Sequence, residues 1–165
     1  KFSEVAIKDA LFRDIFSDAI DLDISNGSIK TTKFVDIGGD AVDLMTSVVL
    51  IEDVHINNSG DKGISIGEKS LPTIKNVYIS GALMGIAIKD LSYAQIINTT
   101  IINSTIGIAA YEKNWQYGGG GHGFINNSNF CMNTQPISIQ NNSQVQIGLE
   151  GGSIRCTQEV CDFHC

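Results

Sequence analysis

Five aspartates recur at a spacing that would bring carboxylates together, and clustered carboxylates can bind cations or exchange protons. They are Asp18, Asp21, Asp23, Asp40 and Asp43. The interval from Asp18 to Asp40 is the same as the interval from Asp21 to Asp43. Carboxylates held side by side raise one another's pKa unless a cation or a lysine lies among them. The spacing therefore predicts an acidic patch that is either solvated or neutralised.

The neutralising group of this patch has two candidates. Lys62 follows Asp40 at the same interval again and would supply a positive charge from within the protein. The alternative is a hard cation such as Ca²⁺, which prefers carboxylate oxygens. The predicted calcium ligands are Asp21, Asp40, Asp43 and Asp61. A solvated acidic face without any bound ion is the simpler interpretation, and we favour it.

A second group of residues suits the binding of a sugar. The segment Trp115 to Gly123 interrupts the spacing with seven additional residues and contains the only tryptophan and four consecutive glycines. Aromatic rings on an exposed loop stack well on sugar rings, and loops on a rigid scaffold commonly carry function. The alternative is that Trp115 covers an apolar patch. The predicted binding residues are Trp115, Tyr117, His122, Glu68 and Glu112.

The elements that position these residues are indicated by apolar residues with a period of 22. One series consists of Ile20, Val42, Ile64, Ile86, Ile108 and Ile137, and three further series begin at Ile7, Phe12 and Leu22. Within each repeat, apolar and polar residues alternate, which is typical of short β-strands. A period in the low twenties indicates stacked coils. We therefore predict an all-β parallel β-helix of about seven coils, with 22–23 residues and three short strands in each coil.

Polar residues are expected at the corners of the coils. Asp53, Asn76, Asn98 and Asn127 form one series, and Ser25, Ser47, Ser70, Ser92, Asn114 and Ser143 form another. Asn tolerates the left-handed backbone conformation that a sharp turn needs, and stacked amides can hydrogen-bond to one another. The same residues generate six Asn-x-Ser/Thr sequons, for which turn formation is the preferred explanation over glycosylation.

Composition limits the possible partners. The chain has 165 residues and a net charge of −7, which argues against binding to nucleic acid or to an anionic membrane. No apolar run is long enough to span a bilayer, so membrane insertion is not expected. We predict a single domain over residues 1–165. Because the sequence begins in mid-repeat, without Met or a leader, it is expected to be part of a longer parent chain.

The pattern as a whole resembles the right-handed parallel β-helix proteins of the pectate-lyase-like superfamily, over nearly the entire chain. The resemblance implies a right-handed solenoid, in agreement with the general hand of parallel crossovers.

Three segments are also similar to the active-site coils of polygalacturonases. They are Gly39–Val42, Asp61–Gly67 and Gly85–Lys89. Asp40 and Lys89 fall on matching positions, but Lys62 stands in place of a histidine and Ala87 in place of an arginine. A glycosidase needs a supported pair of carboxyl groups at the scissile bond, so these replacements argue against hydrolysis.

The segment Ile64–Ser70 resembles the Ile-Ser-x-Lys-Ser segment of chondroitinase-B-like and alginate lyases. The resemblance implies that Lys69 abstracts the proton next to a uronate carboxyl group, that Lys89 supplies the acid, and that Asp61 binds Ca²⁺. A lysine base needs a depressed pKa, which a neighbouring cation would provide.

Four cysteines lie in the last part of the chain, residues 131–165. Cys131, Cys156, Cys161 and Cys165 are an even number clustered near one end, which predicts two disulfides and a secreted or cell-surface location. Cys131 and Cys156 are the preferred pair, since they take nearby positions on successive coils. The alternative is a zinc site formed by Cys156, Cys161, His164 and Cys165.

Two functions are consistent with these residues. The first is an extracellular β-helix module that binds a polysaccharide or cell-surface glycan, or that serves as a structural shaft. The second is an enzyme, a calcium-dependent lyase of uronate polysaccharides. We prefer the first, and the sequence does not decide whether the protein is catalytic.

Overall fold

The computed structural model describes residues 3–140 and 142–148, which form a solenoid of parallel strands. The strands are β1 (Ser3–Lys8), β2 (Leu11–Ile15), β3 (Ile20–Asp23), β4 (Ser25–Lys30), β5 (Lys33–Ile37), β6 (Val42–Met45), β7 (Val48–Glu52), β8 (His55–Gly67), β9 (Thr73–Lys75), β10 (Tyr78–Lys89), β11 (Tyr93–Ile97), β12 (Thr100–Ile102), β13 (Ile106–Tyr111), β14 (His122–Asn126), β15 (Asn129–Cys131), β16 (Gln135–Ile139) and β17 (Gln144–Ile147). Between β13 and β14 lies a short 3-10 helix, η1 (Trp115–Tyr117). The predicted all-β parallel β-helix is confirmed.

The strands stack into three faces, and each strand pairs in parallel with its counterpart on the next coil. The first face is β1-β4-β7-β9-β11-β14-β17. The second contains β2, β5, β12 and β15, and the third contains β3, β6, β13 and β16. Strands β8 and β10 belong to both of these faces. At about 4.8 Å for each coil, some seven coils give a rod roughly 30 Å long.

The expectation of three separate strands in every coil is wrong for the coils that contain β8 and β10. In both, one strand continues through the corner between the second and third faces. A bulge absorbs the bend, because Ser59 to Lys62 in β8 lies opposite the shorter step from Ala82 to Met84 in β10. A glycine permits the close approach, since a Cβ at Gly60 would lie 2.2 Å from the carbonyl oxygen of Gly38.

The core consists of the predicted apolar series. Ile20 pairs with Val42, Val42 with Ile64, and the series continues in register to Ile137. Ile64 is completely buried. Each fully buried side chain of this size stabilises the fold by roughly 1.5–3 kcal/mol. The repeated burial of such side chains along the rod therefore supplies most of the driving force for folding.

The amide ladder at the corner after the first face is confirmed. Asn76 Nδ2 donates to Asp53 Oδ1 over 3.0 Å, and Asn98 Nδ2 donates to Asn76 Oδ1 over 2.7 Å. Asn127 continues the ladder by donating to Asn98 over 3.3 Å. All four residues have a positive φ, between 47° and 56°. The polar residues therefore serve the turn and link one coil to the next.

The serine ladder is confirmed in its first four members and wrong in its fifth. The backbone N–H groups of Ser25, Ser47 and Ser70 each donate to the hydroxyl of the next serine along the rod, over 2.9–3.1 Å. The next member of this column after Ser92 is Gly121 and not Asn114. Tyr93 directly follows Ser92, His122 directly follows Gly121, and Tyr93 is paired with His122. Serine cannot occupy this position, since a Cβ at Gly121 would lie 2.0 Å from the carbonyl oxygen of Ile88.

The cysteine predictions fall largely outside the described residues. Cys131 is buried in β15, whereas Cys156, Cys161, His164 and Cys165 lie beyond residue 148. The two disulfides and the zinc alternative remain predictions. In the described part of the chain, no helix combines the length and the apolar character needed to cross a membrane.

Candidate functional site

The candidate site occupies the outward side of the third face, which we call the binding face. Its central column runs from Asp21 and Asp43 to the small residues Ser65, Ala87, Ala109 and Ser138. Ser65, Ala87 and Ala109 point outward yet are buried. Longer side chains in the flanking columns, such as Lys89, fold over them. The face is therefore acidic on its first two coils and has a small-residue floor on the later ones.

The acidic end of the face behaves as the spacing predicts. Asp21 lies in register with Asp43 on the adjacent strand. Burial raises the pKa of Asp21, and the nearby carboxylates of Asp23, Asp43 and Asp18 raise it further. The carboxylates that the spacing groups together therefore act on the pKa of Asp21.

Lys62 is the internal counter-charge of the patch. Its Nζ lies 3.5 Å from Asp40 Oδ1 and also hydrogen-bonds to Asp61. Burial lowers the pKa of Lys62, but the hydrogen bond to Asp61 and the negative charges of Asp40 and Asp61 outweigh burial and raise it above its usual value. Of the two predicted neutralising groups, the structure provides the lysine.

Asp40 forms hydrogen bonds between coils in addition to its ion pair with Lys62. Asp18 Oδ1 accepts the backbone N–H of Asp40 over 2.7 Å, and Asp40 Oδ1 accepts that of Lys62 over 2.9 Å. Each carboxylate thus links its coil to the next. Burial raises the pKa of Asp40 and Lys62 lowers it, with a net increase to which Asp43 and Asp61 contribute.

The four predicted calcium ligands are not assembled into a metal site. Within residues 3–140 and 142–148, no group of three or more His, Cys, Asp or Glu side chains is arranged to hold a metal ion. Asp40 and Asp61 instead pair with Lys62, while Asp21 and Asp43 lie side by side on β3 and β6.

Lys89 lies at the centre of the binding face and is buried, with 3% of its surface exposed. Its Nζ donates to Ser65 Oγ over 2.7 Å. The Lys89 side chain passes close to Gly67, where a Cβ would lie in ordinary van der Waals contact with Cε, at 3.4 Å. Burial lowers the pKa of Lys89, and Lys113 and Lys62 lower it further, against the attraction of Asp43 and Glu68.

Lys69, the predicted lyase base, lies in a different environment. It is exposed in the turn after β8, with a φ of 64°, and its backbone N–H donates to the carbonyl oxygen of Asp90 over 3.0 Å. Lys69 is therefore solvated in a turn, whereas Lys89 is buried.

The loop between β13 and β14 is anchored by Asp90. This carboxylate is fully buried, and its Oδ1 accepts the backbone N–H groups of Lys113 over 2.8 Å and Asn114 over 2.9 Å. Asn114 then caps η1 by accepting the N–H of Gln116 over 3.0 Å. Asp90 therefore determines where the loop leaves the coil.

The glycines of this loop pack closely against neighbouring residues. A Cβ at Gly119 would lie 2.5 Å from Leu91 Cδ2, and one at Gly120 would lie 1.9 Å from Ser143 Oγ. Only Gly118, which ends η1 with a φ of 74°, faces open space. His122 is not on the loop, because it is the first residue of β14 and pairs with Tyr93.

Trp115 projects from the anchored loop with 80% of its surface exposed, while Tyr117 is half-buried. This exposure agrees with a binding loop and not with a ring that covers the core. Two of the predicted binding residues, Glu68 and Glu112, lie around the same corner. Burial raises the pKa of Glu68, with opposing contributions from Lys89 and Lys113 and an additional increase from Asp90. Glu112 Oε2 accepts a hydrogen bond from Asn142 over 3.4 Å.

The sequence matches the family described as the right-handed β-helix region over residues 2–117. The chain belongs to this family. The match extends from the first coil to the end of η1, so it includes the binding face up to Tyr117. No curated protein matches the chain.

In this right-handed β-helix, sequence reasoning missed two residues of the site. The repeat pattern assigns Asp90 to the outward side, yet it is fully buried beneath the inserted loop. The signal that points to it is its position, directly before the corner at which the next coil gains seven residues. Tyr111 lies in register with Lys89. Burial raises the pKa of Tyr111, and Lys62 opposes that increase.

Proposed function

We propose that this protein is a carbohydrate-binding β-helix module, which binds a polysaccharide or cell-surface glycan across the binding face. The observation that carries the proposal is the exposed ring of Trp115 on a loop that buried hydrogen bonds hold in place. An exposed indole suits one face of a sugar ring, where apolar C–H groups meet the π-system. A loop that is ordered before binding loses less entropy when the ligand arrives.

Polar groups beside the loop support the same function. Glu68, which is half-buried, offers an acceptor at this corner, and Tyr111, in register with Lys89, adds a half-buried phenol on the adjacent coil. Sugar hydroxyls need such donors and acceptors once their water is displaced. The proposal includes a secreted or cell-surface location, for which the late cysteines are the main support.

The experiment is a glycan array probed with three proteins, with and without Ca²⁺. They are the parent, Trp115→Ala and Phe16→Ala. Phe16 is the control, because it is also an exposed aromatic residue (99%, against 80% for Trp115) and lies at the other edge of the binding face, about four coils or roughly 19 Å along the rod. We expect Trp115→Ala to lose binding and Phe16→Ala to keep it. The absence of any glycan signal for the parent would contradict the proposal.

A lyase acting on uronate polymers is the second candidate, and one observation favours it. Lys89 is buried with a lowered pKa and lies in register with Tyr111, and an amine with a lowered pKa near a phenol is a workable base and acid pair for proton abstraction. In this version Lys89 replaces Lys69 as the base. An absorbance assay for unsaturated uronate products tests it. Activity that is lost in Lys89→Ala and kept in Lys69→Ala supports a lyase, and the absence of product from the parent refutes it.

A further inference from the structure

A small cleft opens on the binding face next to the corner that carries Trp115. Its volume is about 160 Å³. It is lined by Met84, Ile106, Ala109, Ala110, Tyr111, Ser138 and Gln140. Parallel pairing creates it, because Ala109 lies in register with Ser138 and both side chains are small. The outward column of small residues, which leaves room between the longer flanking side chains, therefore ends in a recess.

The size of the cleft restricts what it can hold. Pockets that enclose a drug-sized ligand have volumes of roughly 300–1,000 Å³. A cleft of about 160 Å³ has room for about five water molecules, at about 30 Å³ each. An entire oligosaccharide is too large for it. One substituent of a sugar, with the nearest part of the ring, fits.

The lining of the cleft combines an apolar wall with neutral polar groups. Met84, Ile106 and Ala109 present hydrocarbon and sulfur to the space. The phenol of Tyr111, the hydroxyl of Ser138 and the amide of Gln140 offer hydrogen bonds without a formal charge. A ligand that satisfies both parts carries a small apolar group close to a hydrogen-bond acceptor.

The charges around the cleft disfavour an anionic ligand. None of the lining residues is cationic. Two lysines lie in register with lining residues but do not line the cleft themselves. Lys62, next to Met84, is already paired with Asp40 and Asp61, and Lys89, next to Tyr111, is buried and hydrogen-bonded to Ser65. A carboxylate in the cleft would lose its hydration without gaining a partner, which is costly. The two aspartates would also repel it.

We propose that this cleft binds the acetyl group of an uncharged, acetylated saccharide. The methyl group would lie against Met84 and Ile106, and the carbonyl oxygen would accept a hydrogen bond from Tyr111 or Ser138. The sugar ring bearing the acetyl group would then extend towards Trp115, four residues beyond Tyr111 in the chain. This inference rests on the proposed carbohydrate-binding function and narrows it to a ligand class.

The test compares matched saccharides in titrations with the parent protein. For N-acetyl groups, β-1,4-linked N-acetylglucosamine tetramers are compared with β-1,4-linked glucose tetramers, which carry a hydroxyl group instead. For O-acetyl groups, acetylated xylo-oligosaccharides are compared with the same sample after mild alkaline deacetylation. We expect one acetylated member to bind roughly 10- to 200-fold more tightly than its partner, the discrimination that one methyl or methylene group provides in an apolar pocket.

Two variants locate the effect. Ser138→Leu fills the cleft from the half-buried end coil and should reduce the preference for acetyl groups to within about two-fold. Thr134→Leu is the control, because Thr134 is exposed, precedes β16 and does not line the cleft. It should retain the full preference.

Methyl NMR of the methionines gives a readout that does not depend on the variants. The Met84 methyl resonance should shift when the acetylated saccharide is added, whereas that of the exposed Met132, outside the cleft, should not. Equal affinity for acetylated and unacetylated partners would overturn the inference and leave the carbohydrate-binding function intact. Stronger binding of oligogalacturonate would also overturn it. The absence of saccharide binding altogether would refute both.

Discussion

The carboxylate of Asp90 accepts the backbone N–H of Lys113 over 2.8 Å, so that a fully buried residue of one coil holds the first residues of a loop on the next. The solenoid is otherwise repetitive, and polar bonds between coils serve its corners. This bond serves the place where the repeat is interrupted. It joins the rigid scaffold to the exposed ring of Trp115, and it gives the loop a defined position before any ligand binds.

The first prediction concerns this anchor. Asp90→Ala removes the acceptor of two backbone N–H groups, and we expect the free energy of unfolding to fall by roughly 1–3 kcal/mol. Amide hydrogen exchange should accelerate across residues 113–118, because the loop loses its attachment. Hydrogen-exchange mass spectrometry measures both the loop and the rest of the rod.

Asp90→Asn is the matched control for this prediction. Its side-chain oxygen can still accept the N–H groups of Lys113 and Asn114, so exchange in the loop should remain close to that of the parent. Unchanged exchange in Asp90→Ala would show that the loop is held by its own packing.

The second prediction tests the interior column. Ile64→Asp places a carboxylate without a partner between Val42 and Ile86, and the cost of burying such a charge exceeds the stability of a domain of this size. We expect no folded protein by circular dichroism. His55→Asp, at an exposed position of the same strand, should fold. A cooperative thermal transition in Ile64→Asp would contradict the assigned core.

The third prediction separates the two roles of the amide ladder. Asn76→Ala removes hydrogen bonds to Asp53 and Asn98 and forces alanine into a left-handed conformation, which costs about 1–2 kcal/mol by itself. Asn76→Gly removes the same hydrogen bonds but tolerates the backbone. Urea denaturation should therefore rank the parent above the glycine variant and the glycine variant above the alanine variant. Equal stability of the two variants would show that the backbone conformation contributes nothing.

The fourth prediction uses the lowered pKa of Lys89. Because the pKa is lower in the folded state than in the unfolded chain, the unfolded chain binds more protons between the two values, and stability rises with pH in that window. Below the folded-state pKa, burial of the charged ammonium group lowers the free energy of unfolding. This loss disappears as the pH approaches the pKa of Lys89 in the unfolded chain. Lys89→Met should remove this rise, as measured by urea denaturation from neutral to alkaline pH.

Lys75→Met is a control of opposite sign for the Lys89 experiment. The hydrogen bond to Glu52 raises the pKa of Lys75, so its contribution is present below the unfolded value and is lost as pH increases through the folded value. If Lys89→Met keeps the parent's pH profile, the ammonium group of Lys89 is solvated and not buried.

The sequence predicts the coil and its register because the same core contacts recur in every coil. Ile20 and Val42 occupy equivalent positions one period apart, and the same is true of each member up to Ile108. The amide ladder is equally readable, since a turn with positive φ selects Asn and Asp at the same place in every coil.

The sequence predicts the candidate site less well than the fold, because the site lies where the repeat changes. Asn114 follows Ser92 by one period, which predicts a place in the serine column, whereas the structure gives that position to Gly121. The sequence places the seven inserted residues within Trp115 to Gly123 but does not mark the residue of that segment at which the next coil begins. The contact between Gly121 and Ile88, which requires a glycine, exists only between coils. The burial of Lys89 likewise involves a contact between coils, with Ser65 on the preceding coil as the acceptor of its ammonium group.

Acrylamide quenching of tryptophan fluorescence tests the central claim most directly, because Trp115 is the only tryptophan in the chain. In the free protein the exposed ring should be quenched efficiently, with an emission maximum typical of solvent-exposed indole. Addition of a saccharide that binds in the array should shift the emission to shorter wavelength and protect the ring from acrylamide. Poor quenching in the free protein, or no protection at a saturating concentration of that saccharide, would contradict Trp115 as the sugar-binding platform.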